Sequence, residues 1–98
     1  MSEINGALSG LKIVACSTAQ AGTVPYMLMA DLGAEVIKIE TPGKGDNNRN
    51  SGFLEGEIGS FFETNNRGVK SLTLNLKSEK GQKILHSLIK DADVFGQN

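Results

Sequence analysis

Five cations, Lys44, Arg49, Arg67, Lys70 and Lys77, fall in turn-rich segments or next to them. If a fold brings such residues to one edge, they can hold a phosphorylated ligand by charge-assisted hydrogen bonds. Five solvated surface side chains would read the same way, and composition does not choose between the two. Gly43-Lys44-Gly45-Asp46 superficially has the form of a phosphate-cradling turn, but the third glycine of G-x-G-x-x-G is missing and no helix opens after it. Glu40 stands where a ribose-binding carboxylate would end a second strand, yet the turn before it lacks the glycines of a dinucleotide fingerprint. A standard NAD site is therefore disfavoured.

Other chemistries have less to work with. The chain has one histidine, His86, and one cysteine, Cys16, which excludes a chain-internal metal cluster and an internal disulfide. His86 lies off the apolar stripe of its segment and reads as a rim residue. Cys16 closes an apolar run and reads as a small buried hydrophobe rather than a nucleophile. The serines have no nucleophile-elbow context. A net charge of −1 over 98 residues offers no global field for nucleic acid or anionic lipid, so any anion site must be local. The N-terminus has neither the basic start nor the apolar run of a signal peptide, and no segment has the length of a membrane span. A cytoplasmic location is the default expectation.

The elements that would position these residues alternate between strand and helix. Residues 11–16 form a short apolar run suited to a strand buried on both faces. A loop at 17–22 leads to a helix over 23–32, with Pro25 in its first turn and Gly33 to end it. That helix has one formal charge, Asp31, and so requires cover on more than one side. Residues 34–40 are rich in β-branched side chains and read as a second strand. Residues 41–59 are turn formers with little periodicity, a length that suits a binding or mobile loop. Ser60 with Glu63 has capping-box spacing for one helical turn. The alternation in Ser71-Leu72-Thr73-Leu74-Asn75-Leu76 is the clearest strand signal. Ser78 caps a helix to about Asp91, with Ile84, Leu85, Leu88, Ile89 and Ala92 on one face, and residues 93–95 start a further strand. The order predicts an α/β layer with a mostly parallel sheet. In such a sheet ligands sit outside the carboxyl ends of the strands, here the loops at 17–22 and 41–49.

Taken in order, Leu8-Ser9-Gly10-Leu11-Lys12-Ile13-Val14, Gln20-Ala21-Gly22, the run from Ala30 to Glu40, Pro42-Gly43-Lys44-Gly45-Asp46 with Arg49, the run from Asn66 to Lys77, and Ala92-Asp93-Val94 resemble the N-terminal part of the class III CoA-transferases, the CaiB/BaiF family. The likeness covers residues 8–98. It implies a Rossmann-like, mostly parallel sheet with flanking helices, incomplete here because residues 1–98 would be the N-terminal part of a larger domain, truncated before the catalytic aspartate. It implies coenzyme A as substrate or carrier and no metal, an acyl-CoA and a carboxylic acid acceptor as partners, and an interlocked homodimer. By position, Gln20 would lie near the acyl end of the site, and Leu74, Lys77 and Asn98 would line the CoA pocket. Thr41 replaces an arginine common against the adenine, with Lys44 as its possible substitute, and Thr23 replaces a usual proline. The chemistry implied is transfer of CoA between carboxylic acids, through an aspartyl anhydride and an aspartyl thioester, on an aspartate downstream of Asn98. None of Asp31, Asp46, Asp91 or Asp93 matches that nucleophile. The α-methylacyl-CoA racemase branch shares the region. A third possibility is a non-catalytic module that oligomerises through its apolar helix, which would be the element most exposed, or most rearranged, if the 98 residues stand alone.

Overall fold

The structure is a computed structural model that describes residues 6–18, 21–50, 54–55 and 58–98. Its centre is a sheet of four parallel strands, β1 (Lys12–Cys16), β2 (Glu35–Glu40), β5 (Lys70–Thr73) and β6 (Val94–Gln97), in the spatial order β5-β2-β1-β6. The Ile-Val-Ala run of β1 is almost wholly buried because this strand is central and covered on both faces. The chain builds outward from β1 through β2 to β5 and then returns to add β6 on the other side of β1. That reversal puts a topological switch point between β1 and β6.

Alternation along the strands divides the core in two. Ile13, Ala34 and Val36 pack with Tyr26, Met29 and Ala30 around helix α1 (Val24–Asp31). Val14, Ile39 and Leu74 pack with Leu85, Leu88 and Ala92 around helix α3 (Glu79–Asp91). Ser78 caps α3 as its sequence predicts, its hydroxyl accepting from Gly81 N at 3.0 Å. His86 is exposed. Residues 7–10 turn against the end of α1, where Leu8 N donates to Leu32 O at 2.9 Å.

Several local expectations change. The first helix spans Val24–Asp31, and Gly33 follows its end with φ of 107°. Only Met27 of this helix is buried, while Leu28 and Leu32 are each 49% exposed. The cover its composition calls for is thus supplied on one side. The segment from 41 to 59 is not structureless: it contains a 3₁₀ helix (Asn47–Asn50) and the antiparallel pair β3 (Leu54–Glu55) and β4 (Ile58–Gly59). Helix α2 (Ser60–Asn65) has Gly59 as its cap with no side-chain bond, so the capping box of Ser60 and Glu63 does not form. Ser60 already lies inside the first turn, and its carbonyl accepts from Thr64 Oγ1 at 3.0 Å. Among the described residues no helix is long and apolar enough to cross a membrane, and no cluster of His, Cys, Asp and Glu is placed to hold a metal ion.

Tyr26 ties α1 to β6. A Cβ on Gly96 would lie 1.7 Å from the Tyr26 hydroxyl oxygen and 2.4 Å from Cζ. Because the ring carbon clashes as well as the hydroxyl, Gly96→Ala is expected to lower stability by about 1–3 kcal/mol. Tyr26→Ala in the same chain should return part of that loss in urea unfolding, whereas Tyr26→Phe should not.

Candidate functional site

All four strands point their carboxyl ends at one edge, and two adjoining clefts open there. One, of about 140 Å³, is lined mainly by apolar atoms of Cys16, Ile39, Leu74 and Leu76, with Thr18 and Thr41 at its side. The other, of about 210 Å³, is polar and lies along Thr41, Gly43, Lys44, Gly45 and Thr73. Glu40, Thr41 and Gly45 border both. Burial pushes the Cys16 thiol above its ordinary value, which fits a packed hydrophobe rather than a thiolate.

This edge gathers most of the residues singled out in the sequence. Thr41 and Leu74 line the apolar cleft and Lys44 the polar one. Lys77 is exposed in the turn beyond Leu76, with its backbone N–H donating to Asn75 Oδ1 at 3.1 Å, and it lines neither cleft. Asn98 reaches the edge through Thr18. Gln20 lies outside the described residues.

The five cations do not converge. Arg67 is forked on Asp31 at the end of α1, with Nη2 to Oδ2 at 2.6 Å, and Lys70 meets Glu35 at 3.1 Å, both toward the opposite edge of the sheet. Asp31 is held below its usual value by its bonds with Arg67. Arg49 is at the right edge but committed: Nε and Nη2 grip the two carboxylate oxygens of Glu40 at 2.8 and 2.6 Å, and its guanidinium stacks 4.0 Å from the Phe62 ring centre. Lys44 and Lys77 remain, and among the described residues neither has an ion-pair partner.

Beneath the edge lies a charged network that the sequence does not announce. Val36, Lys38 and Glu40 alternate onto the α1 face of β2, and both charged side chains are buried. Lys38 Nζ pairs with Asp46, which is fully buried, and donates to Asn66 Oδ1 at 3.0 Å. Glu40 accepts from Asp46 N at 2.8 Å, from Arg49, and from the Ser71 hydroxyl on the neighbouring strand. Asp46 Oδ1 also accepts from Asn48 N at 2.9 Å and starts the 3₁₀ helix. Two side chains of one strand therefore fix the loop that carries Thr41 and Lys44, and fix it to β5.

The other loop at this edge is also cinched. Ser17 is buried and its hydroxyl donates to Gly22 O at 2.6 Å, while Gly22 N donates to Thr18 O at 3.2 Å. A Cβ on Gly22 would stand 2.4 Å from Thr18 O and 2.7 Å from Ser17 Cβ. Only glycine allows so tight a return ahead of α1.

Residues 8–98 match CoA-transferase family III. The chain is 42% identical over 93 residues to the succinyl-CoA:glutarate CoA-transferase of Homo sapiens, covering 93% of this chain and 21% of that one. It is 37% identical to the acetyl-CoA:oxalate CoA-transferase of Acetobacter aceti, covering 95% of this chain and 24% of that one. A crystal structure of a CaiB/BaiF family protein from Brucella suis superposes with a TM-score of 0.90 at 36% identity, covering 97% of this chain and 26% of that chain. The chain thus spans about a quarter of the length of the relatives it matches. Sequence and backbone path agree from the first strand to the last: the chain belongs to CoA-transferase family III.

Proposed function

We propose that the chain is the N-terminal CoA-binding part of an acyl-CoA:carboxylate CoA-transferase, and that the clefts at the carboxyl edge receive coenzyme A. The supporting observation is the pairing of an apolar cleft at Cys16, Ile39 and Leu74 with a polar one at Thr41 and Lys44, on loops braced from below. CoA is amphipathic along its length, so a ligand of its kind has both surfaces to meet. In this reading Lys44 and Lys77 supply charge to phosphates, Thr41 borders the adenine, Leu74 and Asn98 border the CoA chain, and Gln20 faces the acyl end. Arg49 borders the polar cleft but spends the Nε and Nη2 edge of its guanidinium on Glu40, so its first role in this reading is to brace the loop.

The names of the relatives favour transfer between carboxylic acids over racemisation. The nucleophilic aspartate belongs to the part of the family's length that this chain does not span, and the 98 residues alone bind without turning over. The exposed Leu28 on α1 and Leu32 at its C-cap, with Phe95 on β6, are the surfaces offered to a second copy or to the rest of such an enzyme. A cytoplasmic location belongs to the same reading.

Calorimetric titration of CoA into the chain tests it. The wild type should bind, and Lys44→Ala, on the polar cleft, should weaken binding about tenfold, the scale of one charge-assisted bond. Turnover of an acyl-CoA with an acceptor acid by the isolated chain would overturn the claim that the nucleophile lies elsewhere.

A further inference from the structure

We propose that Phe62 is a positioning residue for the polar cleft: its ring sets the Arg49 guanidinium and so holds the loop at 41–49 that would receive coenzyme A. The ring centre lies 4.0 Å from Arg49 Cζ and 5.5 Å from Lys38 Nζ, both within the range of a cation–π contact. One aromatic side chain thus meets the cations of both ion pairs that brace the loop, Arg49 with Glu40 and Lys38 with Asp46. Arg49 turns its Nε and Nη2 edge to the Glu40 carboxylate, which leaves the flat face of the guanidinium to the ring. Stacking and the fork therefore use different parts of one group, and neither weakens the other.

Phe62 is itself fixed from the same network. Asn66 Nδ2 donates to Phe62 O at 3.0 Å, and Asn66 Oδ1 accepts from Lys38 Nζ at 3.0 Å. One amide thereby ties α2 to β2, and the ring is carried to the two cations from outside the loop they hold. Arg49 borders the polar cleft, whereas Phe62 lines neither of the two clefts. A side chain behind the wall of a cleft reaches a ligand through the residue it stacks on. The Arg49 side chain is 31% exposed while that of Glu40 is 2% exposed, so the fork alone leaves the cation open to water, and the ring closes one face of it.

This inference rests on the CoA reading, and measurements on the 98-residue chain keep the two separable. The chain has two arginines, Arg49 and Arg67, so their Nε–H signals can be told apart by NMR. In the wild type the Arg49 signal should lie upfield of the Arg67 signal because the ring faces it, and a signal without that shift would overturn the stack. Phe62→Leu keeps an apolar side chain and removes the π face. Exchange of the Arg49 Nε–H should then quicken about fivefold, the worth of one partly buried cation–π contact, with Arg67 and the Val14 and Ile37 amides unchanged. CoA affinity should fall by about the same factor, and Phe62→Tyr, which keeps the ring, should restore both. In an Arg49→Met background Phe62→Leu should cost no further affinity. An equal loss in both backgrounds would mean that Phe62 acts by another route and overturn the proposal, as would equal losses in Phe62→Leu and Phe62→Tyr. Faster exchange with unaltered CoA affinity would overturn it as well. Failure of the wild type to bind CoA would overturn the functional reading and with it the role in binding, while the exchange data would still decide whether Phe62 sets Arg49.

Discussion

Asp46→Ala is expected to destabilise the fold by about 3–5 kcal/mol, because it leaves a buried ammonium without its counter-charge. Lys38 Nζ is 4% exposed as a side chain and keeps only the neutral Asn66 Oδ1 once the carboxylate is gone. The same substitution removes the acceptor for Asn48 N and frees the start of the 3₁₀ helix. The decisive comparison is the double change Lys38→Met with Asp46→Ala. Removing both charges avoids the uncompensated one, and a thioether suits a position 5.5 Å from the Phe62 ring centre. Asn66 Oδ1 then loses its donor, so recovery is incomplete, and a return of roughly 2 kcal/mol over Asp46→Ala is expected. Urea unfolding of the four chains in the cycle measures this. Additive losses from Lys38→Met and Asp46→Ala would show that the two groups do not act as a pair.

How the network escapes a reading of the sequence is instructive. The strand read at 34–40, the capped helix beginning near Ser78 and the parallel order of the sheet follow from periodicity and turn chemistry, and the structure agrees with them, starting the strand at Glu35. The same period-two rule puts Val36, Lys38 and Glu40 on one face, and that face is the one α1 must cover. Two charges on an inward face require partners, and Asp46 and Arg49 supply them within one loop. Loop partners are invisible to periodicity because they depend on the path of the chain between elements. The sequence therefore marks the loop at 41–49 by its turn formers but does not show that it is braced. Arg49 shows the cost of counting cations without that path: its spacing suits a phosphate, and its geometry belongs to Glu40. Arg67 and Lys70 precede or open a parallel strand, so its direction alone sends them to the far edge.

The second large effect is expected from Glu40, and it depends on pH. Burial of this carboxylate favours its neutral form, but the fork of Arg49, the Ser71 hydroxyl and the Asp46 amide more than offset that, bringing it from 4.5 to about 2. A carboxylate with a lower value in the folded chain binds protons more readily once unfolded, so its contribution is complete above about pH 4.5 and is lost as pH falls toward 2. The size of that contribution is about 2–3 kcal/mol, allowing for the 31% exposure of the Arg49 side chain, which lets water share the cation. Glu40→Gln should therefore be less stable than the wild type by that amount at pH 7. The gap should narrow between pH 4.5 and 3, since the wild type is then losing what the variant never had. A gap that stays constant over this range would mean that the carboxylate contributes through shape rather than charge. Binding should follow a different course. Thr41 and Lys44 are carried by the segment that Glu40 anchors through Asp46 N and Arg49, so the variant should lose CoA affinity at pH 7 even at temperatures where it is fully folded. Full affinity in a destabilised but folded Glu40→Gln would separate the brace from the site and confine Glu40 to holding the sheet to its loop.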